Sequence, residues 1–165
     1  MKIQRKNNAF TLVEILIVVI ILGILAAIVI PQFTEASEEA RESTLTSNLQ
    51  VLRSQVGLYK IQHRDNYPDS TDSGTFETAM TTQTDEDGVA FDSDSTTGPF
   101  GPYMQQIPLN PFSVAENSDG DAILFLFADP PAATDGSHWN FDSDTGAIVA
   151  NDGGVTPGGT DHEDL

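Results

Sequence analysis

Between Ile15 and Ile30 every residue of the chain is apolar or glycine. Phe10, Leu12 and Val13 before this run and Phe33 after it extend it to the ~20 residues that a helix needs to cross a bilayer. In lipid every backbone N–H and C=O must be satisfied within the segment, so an isolated span has to be helical. One carboxylate, Glu14, sits near the front of the run. Lys2, Arg5 and Lys6 precede it, with no acid among the first nine residues. Cations just ahead of an apolar span hold that end in the cytoplasm. The expected topology is a single pass, N-terminus cytoplasmic, with Thr34 to Leu165 extracytoplasmic.

The outer part is strongly acidic. Of 25 acidic and 7 basic residues, 24 and four lie beyond Phe33, a net charge of −20. That charge repels nucleic-acid phosphates and anionic headgroups, so no nucleic-acid partner is expected. It suits a solvated surface that can attract cations.

An ordinary secretory signal has small residues at a cleavage site after its apolar segment. Here Gly23 to Ala27 (GILAA) is the one decoy, with no natural mature start behind it. The informative small residue comes before the run, at Ala9, and is followed by Phe10-Thr11-Leu12-Val13-Glu14. This string, after a short basic leader and before a long apolar helix, resembles the class III signal of type IV pilins and type II secretion pseudopilins. The resemblance implies that a prepilin peptidase cuts between Ala9 and Phe10 and N-methylates Phe10. It also implies that the apolar run is kept, first as an inner-membrane anchor and then as the core of a filament. The chain departs from the family's usual pattern in having Ala9 where glycine is common.

A carboxylate within an apolar span is a functional candidate by default. Cutting after Ala9 would place an α-amino group about one helical turn from Glu14, which also gains from the helix dipole. The family resemblance implies that Glu14 neutralises the amine of a neighbouring subunit during assembly. The plain alternative is a glutamate that snorkels to the headgroup boundary.

The rest of the chain divides into four stretches after the leader, residues 1–9. Residues 10–33 form the transmembrane and assembly helix. Residues 34–64 continue it: Leu45, Leu49, Leu52, Val56 and Tyr59 are spaced 4, 3, 4 and 3, one dry stripe on an otherwise polar helix. About 55 helical residues would make a rod of roughly 80 Å. Pro31, which has no amide to donate, is expected to kink or locally melt it. Residues 65–121 read as a variable loop region. Between Asp69 and Gly98, 21 of 30 residues are Asp, Ser, Thr or Gly, which cannot bury a core of their own. Phe76, Met80 and Phe91 are expected to pin it, with a short helix around Phe76 to Thr82. Gly98 to Phe112 reads as an ordered extended loop held by its large side chains. Its string GPYMQQIPLNP is similar to a segment of major pseudopilins.

Residues 122–165 hold three strand candidates, Ala122 to Ala128, Ser137 to Asp142 and Ala147 to Ala150. Asp144-Thr145-Gly146 is the hairpin turn, and a loose acidic tail follows from Asn151. The fold class is α+β: a long N-terminal helix, its first half transmembrane, packed on a small C-terminal antiparallel sheet, as in pilins. The expected core is the Leu45 to Tyr59 stripe with Ile123, Phe125, Phe127, Trp139, Phe141 and Ile148. The chain has no cysteine. Many pilus-building type IV pilins close their C-terminal loop with a disulfide and major pseudopilins generally do not, which points to the pseudopilin side.

No catalytic constellation stands out, and no enzyme is expected. His63, His138 and His162 show no ligand spacing, and Ser137-His138 lacks a nucleophile-elbow pattern. Acidic turns recur at Asp85-Glu86-Asp87, Asp92-Ser93-Asp94, Asp119-Gly120-Asp121 and Asp142-Ser143-Asp144. Oxygen-rich turns suit calcium, though none completes an EF-hand loop. Major pseudopilins bind calcium near the C-terminal sheet, so the resemblance makes Asp119, Asp121, Asp142 and Asp144 the calcium candidates, against a merely solvated acidic surface. Its implied partners are further copies of the chain, other pseudopilins, the prepilin peptidase, the inner-membrane assembly platform and lipid. A monomeric, membrane-tethered extracytoplasmic binding domain is the alternative function.

Overall fold

Thr11 starts the first helix and a pair of left-handed residues stops it. The computed structural model describes residues 10–68, 73–91, 98–113, 125–127 and 137–165. Within it, α1 runs unbroken from Leu12 to Gln62. Arg64 and Asp65 then adopt φ of 53° and 70°, and the Asp65 N–H reaches back to the Lys60 carbonyl at 3.1 Å. That six-to-one bond is how a helix end satisfies its orphan carbonyls. Pro31 lies inside α1 and the helix continues through it, so the local melting does not occur. The missing Pro31 amide removes one intrahelical hydrogen bond, and the rest of the ladder continues on both sides.

The chain divides into two compact units, Met1–Glu39 and Ala40–Leu165. In the first, every described residue is exposed. α1 is long and apolar enough there to cross a membrane.

In the second unit, Leu45, Leu49, Leu52, Val56 and Tyr59 are all buried, as their spacing predicts. Each buried leucine contributes roughly 1.5–3 kcal/mol by leaving water. The stripe meets Phe76, Ala79 and Met80 of the short helix α2, Ser73–Thr81, together with Ile107, Trp139, Phe141, Ile148 and Ala150. Phe76 and Met80 thus belong to the core itself. Ile123 lies outside the described residues, as do the side chains of Phe125 and Phe127.

The sheet has three short strands, β1 (Phe125–Phe127), β2 (Trp139–Phe141) and β3 (Ile148–Ala150), in that order. β2 and β3 form the expected antiparallel hairpin, with Trp139 opposite Ala150 and Phe141 opposite Ile148. β1 lies parallel to β2, Phe125 beside Trp139, so the sheet is mixed rather than wholly antiparallel. Parallel neighbours cannot be joined by a tight turn.

The hairpin turn is built by Asp142. Its carboxylate accepts from the Asp144 N–H at 2.8 Å, the Thr145 N–H at 3.3 Å and the Thr145 hydroxyl. The Thr145 hydroxyl and these backbone donors hold the Asp142 carboxyl below the usual carboxylate range. Gly146 takes φ of 76°, and a Cβ there would lie 2.1 Å from the Tyr67 ring. Tyr67 closes the turn by donating to the Thr145 carbonyl at 2.5 Å.

The loop from Gly98 to Phe112 is held by its side chains, as expected. Ile107 and Asn110 are buried, and the Pro108 carbonyl accepts from the Trp139 indole at 2.7 Å. The tail from Asn151 is not loose. His162 is buried in a one-turn 3-10 helix, His162–Asp164, and its Nδ1 sits 2.7 Å from Asp152 Oδ1. Asp152 also accepts from the Asn110 amide and the Gly154 N–H. Arg53 donates from Nε and Nη2 to the Ile148 carbonyl and from Nη1 to the Leu165 carbonyl, each within 3.1 Å. Glycine and acid content suggested a free tail, but these polar contacts hold it.

Candidate assembly and processing site

α1 begins one residue after Thr11, so Thr11 is the N-cap and Glu14 the third helical residue. The two side chains satisfy each other's backbone. Glu14 N–H donates to Thr11 Oγ1 at 3.2 Å, and Thr11 N–H donates to Glu14 Oε2 at 2.8 Å. The Thr11 hydroxyl donates to the same Oε2 at 2.8 Å. This is a capping box, which removes two orphan donors from a helix start. The string Thr11-Leu12-Val13-Glu14 carries its T-x-x-E signature, so Thr11 was legible in the sequence as a partner of Glu14 and was missed.

The box fixes where the carboxylate sits. Among the described residues, Glu14 Oε1 accepts no hydrogen bond, so one oxygen faces Thr11 and the other stays available to a cation. Glu14 is the only acid of α1 before Glu35. Phe10 precedes the cap with a non-helical backbone and is 77% exposed. Ala9 lies outside the described residues.

The calcium candidates are not brought together. Asp119 and Asp121 lie outside the described residues. Asp142 spends its carboxylate on the hairpin turn, and the Asp144 side chain is exposed. Among the described residues no group of three His, Asp or Glu side chains could hold a metal ion.

The histidines have structural roles. His63 stacks on Tyr59 with ring centres 3.7 Å apart, and its nitrogens meet the Tyr59 carbonyl and the Thr84 hydroxyl, both at 2.8 Å. His138 Nδ1 accepts from the Asn110 N–H at 3.1 Å, and Ser137 Oγ donates to the Trp139 carbonyl at 2.5 Å. Ser137 and His138 are buried and face structural partners.

Comparison with known proteins bears on the same segment. The family model described as the prokaryotic N-terminal methylation motif matches residues 4–30, which enclose Ala9, Phe10 and Glu14. The type II secretion system core protein G of Vibrio cholerae is 31% identical over 112 residues, 68% of this chain and 70% of that protein. The core protein G of Dickeya chrysanthemi is 37% identical over 43% of this chain and 45% of its own length. That of Pseudomonas aeruginosa is 35% identical over 36% and 42%. The chain thus spans under half of two of these three relatives and over two thirds of the other. No solved structure matches the chain. The methylation motif at the helix start and the extended similarity to the Vibrio protein agree: this chain belongs to the family of type II secretion system core protein G.

Proposed function

We propose that the protein is a structural subunit of a type II secretion pseudopilus. It is anchored in the inner membrane through residues 10–33, basic end in the cytoplasm and acidic head outside. The prepilin peptidase cuts between Ala9 and Phe10 and methylates the new amine. Copies of the chain, together with other pseudopilins and the assembly platform, then polymerise through the apolar half of α1. Glu14 pairs with the Phe10 amine of a neighbour.

The observation that carries this reading is the Thr11–Glu14 box. It presents one carboxylate at the head of the apolar, exposed first half of α1, beside the residue that would become the N-terminus. A simple tether needs neither the box nor the methylation motif. Intact-mass analysis of membrane-extracted protein tests it. The expected mass is that of a chain starting at N-methylated Phe10. A chain that keeps Met1 to Ala9, or one cut after Ala27, would overturn the processing.

We also propose calcium as a ligand of the acidic turns of the head. The support is the repetition of Asp-x-Asp turns, in particular Asp119-Gly120-Asp121. The Asp142 turn does not fit as a site by itself, because its oxygens are taken. A cation that binds only the folded head raises its melting temperature by mass action. The detergent-solubilised protein should therefore melt higher in millimolar calcium than in chelator, and equal melting would reduce the acids to a solvated surface.

A further inference from the structure

Among the described residues β3 is the edge of the sheet, whose order is β1-β2-β3. The residues flanking it bond to β2. The Ala147 carbonyl accepts from the Asp142 N–H at 2.9 Å, and the Asn151 N–H donates to the His138 carbonyl at 3.3 Å. Bonded and non-bonded positions alternate along an antiparallel pair, so Ile148 and Ala150 turn their backbone N–H and C=O away from β2. Such a row is a template on which another chain can add a strand. Here it is covered from within the chain. Arg53 on α1 donates from Nε at 3.1 Å and Nη2 at 2.8 Å to the Ile148 carbonyl, and from Nη1 at 2.8 Å to the Leu165 carbonyl. The 3-10 helix of the tail packs against β3, and Ile148 and Ala150 are buried. Four cations follow the span, Arg41, Arg53, Lys60 and Arg64, against 24 acids. Lys60 and Arg64 pair with Asp65, Glu86 and Asp87. Arg53 pairs with no side-chain carboxylate among the described residues, and partial burial holds its proton affinity below that of an ordinary arginine. A cation placed at that cost on the outward carbonyl of an edge strand does more than neutralise acid.

We propose that Arg53 and the tail from Asp152 to Leu165 are an edge guard, which keeps β3 of one copy from pairing with β3 of another. An incoming strand needs the Ile148 carbonyl as an acceptor. To reach it, the strand must displace two charge-assisted donors and leave a half-buried guanidinium without that partner. Ile148-Val149-Ala150 carries no charge of its own to keep a like strand away. The partner that fits the opened edge is a second copy in antiparallel, two-fold register. Ile148 and Ala150 of one copy would exchange backbone bonds with Ala150 and Ile148 of the other, which sets Val149 opposite Val149.

The chain has no native cysteine, so Val149→Cys reports this pairing. A non-bonded antiparallel pair brings its Cα atoms to ~4.5 Å, within reach of a disulfide. Full-length protein in detergent is oxidised and resolved without reductant. Val149→Cys alone should stay monomeric. Arg53→Met keeps most of the stem packing and removes the donors. It should raise the Val149→Cys dimer about tenfold or more, while the head stays as protease-resistant as wild type. Val89→Cys, at an exposed position elsewhere in the head, should gain no dimer from Arg53→Met. Trp139→Phe, which loosens the head and leaves the guard in place, should not raise the Val149→Cys dimer. A protease-resistant Arg53→Met head with no added Val149→Cys dimer overturns the guard, as does a dimer that already forms with Arg53 present. An equal gain at Val89→Cys, or with Trp139→Phe, overturns it in favour of general loosening. An Arg53→Met head that is digested as an unfolded chain makes Arg53 a clamp of the fold and overturns the guard as well.

Discussion

Glu14→Leu should insert into the membrane, be cut between Ala9 and Phe10, and fail to polymerise. The substitution removes the one charge in the apolar span, so insertion becomes easier. The head is a separate compact unit, Ala40–Leu165, and should resist protease as before. On the proposed assembly, what disappears is the partner of a neighbour's methylated amine. A charge left unpaired in low-dielectric surroundings sets a penalty that should depress the polymer-to-monomer ratio about a hundredfold. The measurement is that ratio at equal expression, with processing checked by mass. A normally cut Glu14→Leu variant that polymerises at wild-type yield would show that Glu14 only snorkels to the interface.

Thr11 separates the two roles that Glu14 plays. In the single chain Glu14 caps its own helix through Thr11, and in the proposed filament it would face an amine. Thr11→Val deletes the hydroxyl that holds Oε2 and that receives the Glu14 N–H. Loss of a cap costs about 1 kcal/mol, much less than an unpaired charge. Thr11→Val should therefore weaken assembly partially, and Thr11→Ser, which restores both hydrogen bonds, should recover it.

How much of this was legible follows from which interactions are periodic in sequence. The apolar helix was readable because its uninterrupted run is long enough to cross a bilayer, and the stripe from Leu45 to Tyr59 because it repeats with the helix period. The Asp144-Thr145-Gly146 turn was readable because glycine marks the left-handed position. The parallel placement of β1 was not, since strand direction leaves no mark in the strand itself. Nor was the order of the tail. His162, Asp152 and Asn110 meet only in three dimensions, and Gly-rich acidic composition carries no trace of such a network. At the candidate site, Phe10 and Glu14 were singled out from the motif, whereas Thr11 needed the capping rule applied to the same six residues.

The head should be as sensitive to Trp139 as the filament is to Glu14, with the opposite phenotype. Trp139 is fully buried in β2, opposite Ala150, and its indole N–H donates to the Pro108 carbonyl. It therefore joins the hairpin to the loop from Gly98 to Phe112. Truncating a buried tryptophan to alanine costs about 3–5 kcal/mol, much of the total ~5–15 kcal/mol that holds a typical domain. Trp139→Phe keeps most of the packing and loses chiefly the hydrogen bond, about 1 kcal/mol. Limited proteolysis of membrane-embedded protein reads the difference, because lipid shields residues 12–33 whatever the head does. Trp139→Ala should be digested back towards the membrane under conditions in which wild type and Trp139→Phe survive. Its leader and apolar span are unchanged, so insertion and cutting at Phe10 should proceed normally. Equal resistance of Trp139→Ala and wild type would mean that the stripe on α1, with Phe76 and Met80, holds the head together without the sheet.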